Sequence, residues 1–175
     1  KKPENRYQSV LEFAEALHAL RQEESPGANQ GLSKEDQYLV IRKDAWFKNF
    51  SPDQVKELMD AGEVQLFSDK QLILKEGTEN KTFYLVLEGE VRVIKGRQQI
   101  RKLGEGECFG EMSYLTAMKT TASIVANGEV MIWGVSPGLL EKLSCSSQLG
   151  FQNAFIEMIV QRLTKGTKDI ARLQE

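Results

Sequence analysis

The sequence has little with which to bind soft metals or staple itself covalently: two cysteines, Cys108 and Cys145, and a single histidine, His18, in 175 residues. These are too few ligands for a structural zinc site, and no disulfide framework can stand in for a packed core. A chain of this size can bury such a core, and a reducing, cytoplasmic setting fits the cysteine usage. A surplus of one charge is lacking as well, since 23 Lys+Arg face 25 Asp+Glu for a formal net charge of -2. Wrapping nucleic acid or lying on an anionic membrane needs cations in excess, so neither is expected. No apolar run approaches the roughly 20 residues of a membrane-spanning helix, and the first residues show no charged-then-apolar leader pattern. Catalytic constellations are absent too. There is no Ser-His-Asp or Cys-His arrangement and no HExxH pattern, and the paired carboxylates Glu23-Glu24 sit beside a linker. A non-catalytic, metal-free module is the expectation. The chain begins Lys1-Lys2-Pro3 without an initiator Met, which suggests a piece of something longer.

What is present is ordinary globular composition, 41% hydrophobic and 27% charged. Ser9, followed three residues later by Glu12, opens a helical pattern with Val10, Phe13, Ala14 and Leu17 on one face. Residues 1–22 read as one amphipathic helix, and 23–33, with Ser25-Pro26-Gly27, as a flexible linker. Residues 34–62 form a helical segment. Tyr38, Ile41, Ala45 and Trp46 suggest a helix from Lys34 to Phe47. A second helix is marked by Ser51 as N-cap, Pro52 in the first turn and Gln54 closing a capping box. Gly62 reads as its stop, through the left-handed conformation open to glycine.

Beyond Gly62 the hydrophobic period falls to two. Phe83, Leu85, Leu87, Val91 and Val93 alternate with polar residues across Gly89. Further short strands are expected at 72–74, 98–103, 122–126 and 130–135, with a turn at Asn127-Gly128. Residues 63–135 therefore read as a mainly β unit, an antiparallel β-roll or jelly roll, flanked by helices. Residues 136–175 read as helical, with Ser136-Pro137 opening a short helix and a long one following from about Leu149. In the long helix Phe151, Phe155 and Met158 make one stripe. Ile156, Ile159, Leu163, Gly166, Ile170 and Leu173 follow spacings of three and four, which suits either a self-association seam or one broad buried face.

The segment 104–123 carries the chemistry. Gly104, Gly106 and Gly110 lead into Glu111-Met112-Ser113-Tyr114, where a short helical turn can begin, and unpaired amides of a first turn suit an anion. No Lys-Ser or Lys-Thr follows the glycines, so this is not a triphosphate loop. By themselves three glycines in a turn read as structural. In combination, Phe109-Gly110-Glu111, Met112-Ser113-Tyr114-Leu115 and Thr121-Ala122-Ser123 resemble the phosphate-binding cassette of cyclic nucleotide-binding domains. Tyr84 to Val91 resembles the same family's glycine-centred hairpin, and the likeness extends over roughly Asp44 to Leu173.

The resemblance implies a cyclic nucleotide ligand, cyclic AMP, cyclic GMP or a relative, and no cofactor. It implies that Glu111, after Gly110, accepts from the ribose 2′-hydroxyl and that the amides of Met112 and Ser113 hold phosphate oxygens. The family has an Arg where this sequence has Thr120. A charge-assisted bond is worth about 1.5–3 kcal/mol, so its loss weakens phosphate binding roughly tenfold to a hundredfold. Lys119 is the adjacent possible substitute, although strand alternation turns it to the other face. Thr121 stands where many members place a hydroxyl. Phe109 reads as core, and Cys108 as a small buried apolar residue.

Lys2 to Ser9, containing Pro3, Arg6 and Tyr7, resembles the last helix of bacterial-type serine/threonine protein kinase domains. Two functions follow from these likenesses. One is a regulatory sensor of a kinase in cis, in which the ligand repacks the terminal helices. The other is a degenerate member that binds no nucleotide and serves as a docking or homodimerising module through the long helix.

Overall fold

The computed structural model describes residues 33–116 and 118–172. The helix expected over 1–22, with His18, and nearly all of the linker lie outside the described residues.

The first helix, α1 (Lys34–Lys43), is capped by Ser33, whose hydroxyl accepts from the amide of Asp36 at 3.2 Å. It stops short of the Phe47 end expected for it. Asp44 turns to an extended conformation, and its carboxylate accepts from the amide of Trp46 at 2.8 Å, opening a separate 3-10 turn over Ala45–Phe47. The carboxylate is thus used to begin a new turn instead of facing solvent in a continuing helix, which is the local competition that makes Asp a helix boundary. Helix α2 (Pro52–Ala61) has both halves of the expected capping box: Ser51 Oγ accepts from Gln54 N at 3.3 Å, and Gln54 Oε1 accepts from Ser51 N at 2.8 Å.

Gly62 ends α2 as expected, its amide donating to the carbonyls of Leu58 and Met59, but not in the left-handed conformation. It is extended, with φ -112° and ψ 177°, and it is already the first residue of strand β1 (Gly62–Phe67). It is required because of close approach: a Cβ there would lie 2.1 Å from Nε1 of Trp133. Strand β1 pairs with β6 (Ser123–Val135), β6 with β3 (Phe83–Lys95) and β3 with β4 (Gln98–Leu103). The short strands β2 (Leu72–Leu74) and β5 (Cys108–Phe109) pair with β6 and β3, and every pairing is antiparallel. The sheet with its flanking helices is the β-roll that the alternating pattern implied. One difference lies at Asn127-Gly128. Instead of a turn between two strands, β6 runs straight through, because β3 breaks register opposite it: Glu88 faces Met131 while Glu90 already faces Asn127. Gly89 and Gly128 absorb that bulge with φ of 86° and 85°.

After β6 come α4 (Pro137–Leu140), whose N-cap Ser136 makes no side-chain bond to it, and α5 (Cys145–Arg172), which starts four residues earlier than expected. Two cores result. Outside the sheet, Trp46, Phe47, Phe83, Trp133, Phe151 and Phe155 form an aromatic cluster beneath α1, α2 and α5. Inside the roll, Val86, Val91, Leu103, Ile124, Ala126, Val130 and Ile132 form an aliphatic one.

The stripes of α5 are sorted by this packing. Phe151 and Phe155 are buried, and Met158 and Ile159 rest on the aromatic cluster, so Ile159 belongs to the core face and not to a free seam. Ile156 and Val160 are exposed. The burial of Gly166, the side chain of Ile170 and Leu173 as a whole fall outside what is described. Among those residues no helix is long and apolar enough to cross a membrane.

Candidate functional site

Between β5 and β6 the chain makes a sharp turn at Gly110, with φ +81°, where a Cβ would come within 2.5 Å of the carbonyl oxygen of Thr82. The left-handed backbone and the close approach both demand glycine. The turn feeds α3 (Glu111–Thr116), where Tyr114 N donates to the carbonyl of Gly110 at 3.0 Å. The amides of Glu111, Met112 and Ser113 precede that bond, as first-turn amides must. Tyr114 fastens the back of α3 to the aromatic cluster, 5.5 Å from the ring of Phe155 and 6.4 Å from that of Phe83. Phe109 stacks on Tyr84 at 4.9 Å and is buried, which makes it core as expected.

These elements enclose a cavity of about 260 Å³, at the small end of ligand pockets. Its inner wall is apolar and includes Leu74, Val93, Leu103, Phe109 and Ile124. The sequence-derived residues Gly110, Glu111, Met112, Ser113, Thr120 and Thr121 all line it. Lys119 does not; it is exposed and stands apart from the lining.

The two polar ends of the cavity are built differently. At one end Glu111 Oε1 accepts from Arg162 of α5 at 2.7 Å, with both side chains mostly buried. The other guanidinium nitrogen of Arg162 donates to the carbonyl of Cys108 and lies 3.5 Å from its Sγ. A planar fork bridging two strand-and-turn positions is geometry that Arg can provide and Lys cannot. Burial pushes the Cys108 thiol up to about 12, partly offset by the neighbouring guanidinium, so it is inert.

At the other end Thr120 is buried. Its hydroxyl donates to the carbonyl of Lys75 at 2.5 Å, with that of Thr78 at 3.2 Å, and accepts from Thr78 N at 3.1 Å. Its own amide donates to Thr78 O at 3.0 Å, and its carbonyl accepts from Gly77 N at 2.8 Å. Thr120 therefore straps the β2–β3 connection to the start of β6.

Arg162 and this strap escaped the sequence reading. Arg162 carried a usable signal: Phe151, Phe155, Met158 and Arg162 follow spacings of four, three and four, so the cation ends the buried stripe instead of belonging to the solvent face. The partners of Thr120 carried none, because contacts between residues 75 and 120 are set by how β2 pairs with β6.

The fold and the site together define a β-roll with a small pocket at a glycine turn, closed on one side by a C-terminal helix. Residues 64–144 match the family model described as "Cyclic nucleotide-binding domain". A solved cyclic nucleotide-binding domain from Methylobacillus flagellatus superposes with a TM-score of 0.68 at 25% identity, covering 79% of this chain and 83% of that one. Among curated proteins, a cGMP-dependent protein kinase of Toxoplasma gondii is 28% identical over 148 residues, which is 76% of this chain and 15% of the kinase. A cAMP-dependent protein kinase regulatory subunit of Hypocrea atroviridis is 28% identical over 95 residues, 54% of this chain and 21% of that protein. The chain thus spans about a fifth or less of the length of these two relatives.

Proposed function

We propose that this chain is the ligand-sensing regulatory module of a serine/threonine protein kinase, with a ribose-bearing nucleotide of the cyclic AMP or cyclic GMP kind entering the roll and shifting α5. The kinase context is supported by the relatives, a cGMP-dependent protein kinase and a cAMP-dependent protein kinase regulatory subunit that this chain matches over part of their length, and by the kinase-like sequence of Lys2 to Ser9. One observation carries the sensing mechanism: Glu111, where the family pattern receives the ribose hydroxyl, is the residue on which Arg162 of α5 is held at 2.7 Å.

A hydroxyl arriving at that carboxylate competes with the guanidinium or reorients it, so pocket and helix share one acceptor. Occupancy then biases the helix only as far as the ligand prefers one arrangement of the pair over the other. The start of α5 stays fixed throughout. Ser144 donates to Glu57 of α2 through its amide at 3.0 Å and its hydroxyl at 2.7 Å, and Gln54 donates to the carbonyl of Ser146 at 3.1 Å. The responsive part is the half that includes Arg162.

Amide hydrogen exchange tests this. Arg162→Ala is expected to raise exchange in α5 beyond Phe155 while leaving 145–151 protected, and saturating ligand is expected to change exchange in the same stretch of the unsubstituted chain. Bound ligand with no change anywhere in α5 would end the proposal. The exposed apolar residues Leu149, Ile156 and Val160, at heptad-compatible spacing on α5, favour a second reading in which this helix also docks or homodimerises.

A further inference from the structure

An anion entering this cavity meets neutral donors and two cations. The neutral donors are the first-turn amides of α3 and the hydroxyls of Ser113 and Thr121, all on lining residues. The rest of the wall is largely aliphatic, and a charge that leaves water for such a wall needs an opposite charge as well as hydrogen bonds. Among the described residues the lining cations are Arg101 and Arg162. They are placed differently. Arg101, on β4, pairs with Glu107 at 2.5 Å, and that carboxylate also accepts from the amide of Gly104 at 3.0 Å, so the pair belongs to the β4–β5 connection. Arg162 comes from α5 and pairs with Glu111, the first residue of α3, next in sequence to the amides of Met112 and Ser113. A guanidinium carries five N–H groups. Those of Arg162 reach Glu111 through Nη1 and Cys108 through Nη2, which leaves Nε and one hydrogen of Nη1 without a partner among the described residues. Its Nε is not one of the sealed, unpaired polar atoms of the protein, so it opens onto accessible space.

We propose that Arg162 is itself a ligand-binding residue, whose spare N–H groups take the charged phosphate oxygens of a cyclic nucleotide while Glu111 takes the ribose 2′-hydroxyl. The inference rests on the reading of this cavity as the nucleotide site, and it adds the source of the compensating charge. Arg162 need not abandon Glu111 to do this, because a planar fork can serve two acceptors at once. An uncharged ribonucleoside offers Glu111 the same hydroxyl but gives the guanidinium no anion. Arg162 therefore adds affinity only for the phosphate-bearing ligand. The cation arrives on α5 and not on the roll, so recognising the phosphate and seating the helix are one event.

Calorimetric titration of the 175-residue chain with adenosine, guanosine and their 3′,5′-cyclic monophosphates decides the matter. The quantity read is the affinity of each cyclic monophosphate relative to that of its own nucleoside. At least one such ratio is expected to be about tenfold or more in the unsubstituted chain. Arg162→Gln is expected to cut it about tenfold, while moving the affinity for the nucleoside less than about threefold. The cut is expected to be larger than that made by Arg101→Gln. A ratio near one in the unsubstituted chain, a ratio that survives Arg162→Gln, or a larger fall with Arg101→Gln overturns the inference and leaves the nucleotide-site reading standing. If none of the four ligands binds at millimolar concentration, that reading falls and this inference with it. Should Arg162→Gln fail to fold with Glu111 left unpaired, Glu111→Gln and the double variant Glu111→Gln/Arg162→Gln are compared in its place with the same expected cut, since the double variant orphans no charge.

Discussion

Glu111 and Thr120 are the two ends of one cassette, nine positions apart, and they are anchored in opposite ways. Thr120 is tied by its hydroxyl and both backbone groups to residues 75–78, all within the roll. Glu111 is tied by one ion pair to Arg162, on a helix that enters from outside the sheet. The difference teaches where response can reside. A corner held by several bonds within the roll moves only if the roll itself opens, whereas an end held by one pair to a separate element is released by breaking that pair alone. The first end fixes the shape of the cavity, and the second is where the proposed coupling to α5 would act.

The sharpest way to break this comparison is at the turn that joins the ends to the roll. Gly110→Ala forces an L-residue into φ +81° and sets a Cβ against the carbonyl of Thr82. A loss of about 2–4 kcal/mol is expected in urea unfolding, and both ends of the cavity should be disturbed together. A loss below about 1 kcal/mol would mean that the turn relaxes easily and the ends are less constrained than described.

A smaller and more selective effect is expected from Thr120→Val, which keeps the shape and removes the hydroxyl. Thr78 N and the Lys75 carbonyl lose a partner, which costs about 1–3 kcal/mol. Exchange should rise at residues 75–78 while α5 keeps its protection. A matching rise in α5 would erase the distinction between the two ends.

The smallest effect is a dependence on pH at the fixed start of α5. The Glu57 carboxyl is held below its ordinary value of 4.5 by the hydrogen bonds from Ser144. A depressed carboxylate contributes stability that is present above the unfolded value and is lost as pH falls through the folded one. Glu57→Gln is therefore expected to lower the melting temperature slightly near neutrality, with the gap to the parent chain closing once the pH drops below about 4. A gap that persists unchanged into acid would show that Glu57 acts there without its charge.

Much of this architecture was legible from residue order. The capping box at Ser51 and Gln54 is local chemistry within four residues, and the alternation in β3 needs only a half-buried strand. The placement of Glu111 at the cavity mouth was legible through the family likeness of its motif. What was hidden depends on partners distant in sequence. Gly62 does stop α2, but the need for glycine there comes from Trp133 and not from a left-handed backbone, and Asn127-Gly128 reads as a turn until the bulge at Gly89 lets β6 continue. Ile159 fits a heptad seam as well as a core face, and only the aromatic cluster settles which one it joins. Thr120 reads simply as a missing cation. Its work as a strap depends on two carbonyls some 45 residues earlier, which no local pattern encodes.

The two thiols of this chain differ as sharply as the two ends of its cassette. Cys108 is sealed beneath Arg162 and Met158, and its proton is held far above neutrality, whereas Cys145 is exposed on the first residue of α5. The molecule thus comes with one natural attachment point for a fluorophore or spin label, seated at the base of α5, which is tied to α2. A label there would give a fixed reference point on the roll side of the molecule, with no native cysteine needing to be removed.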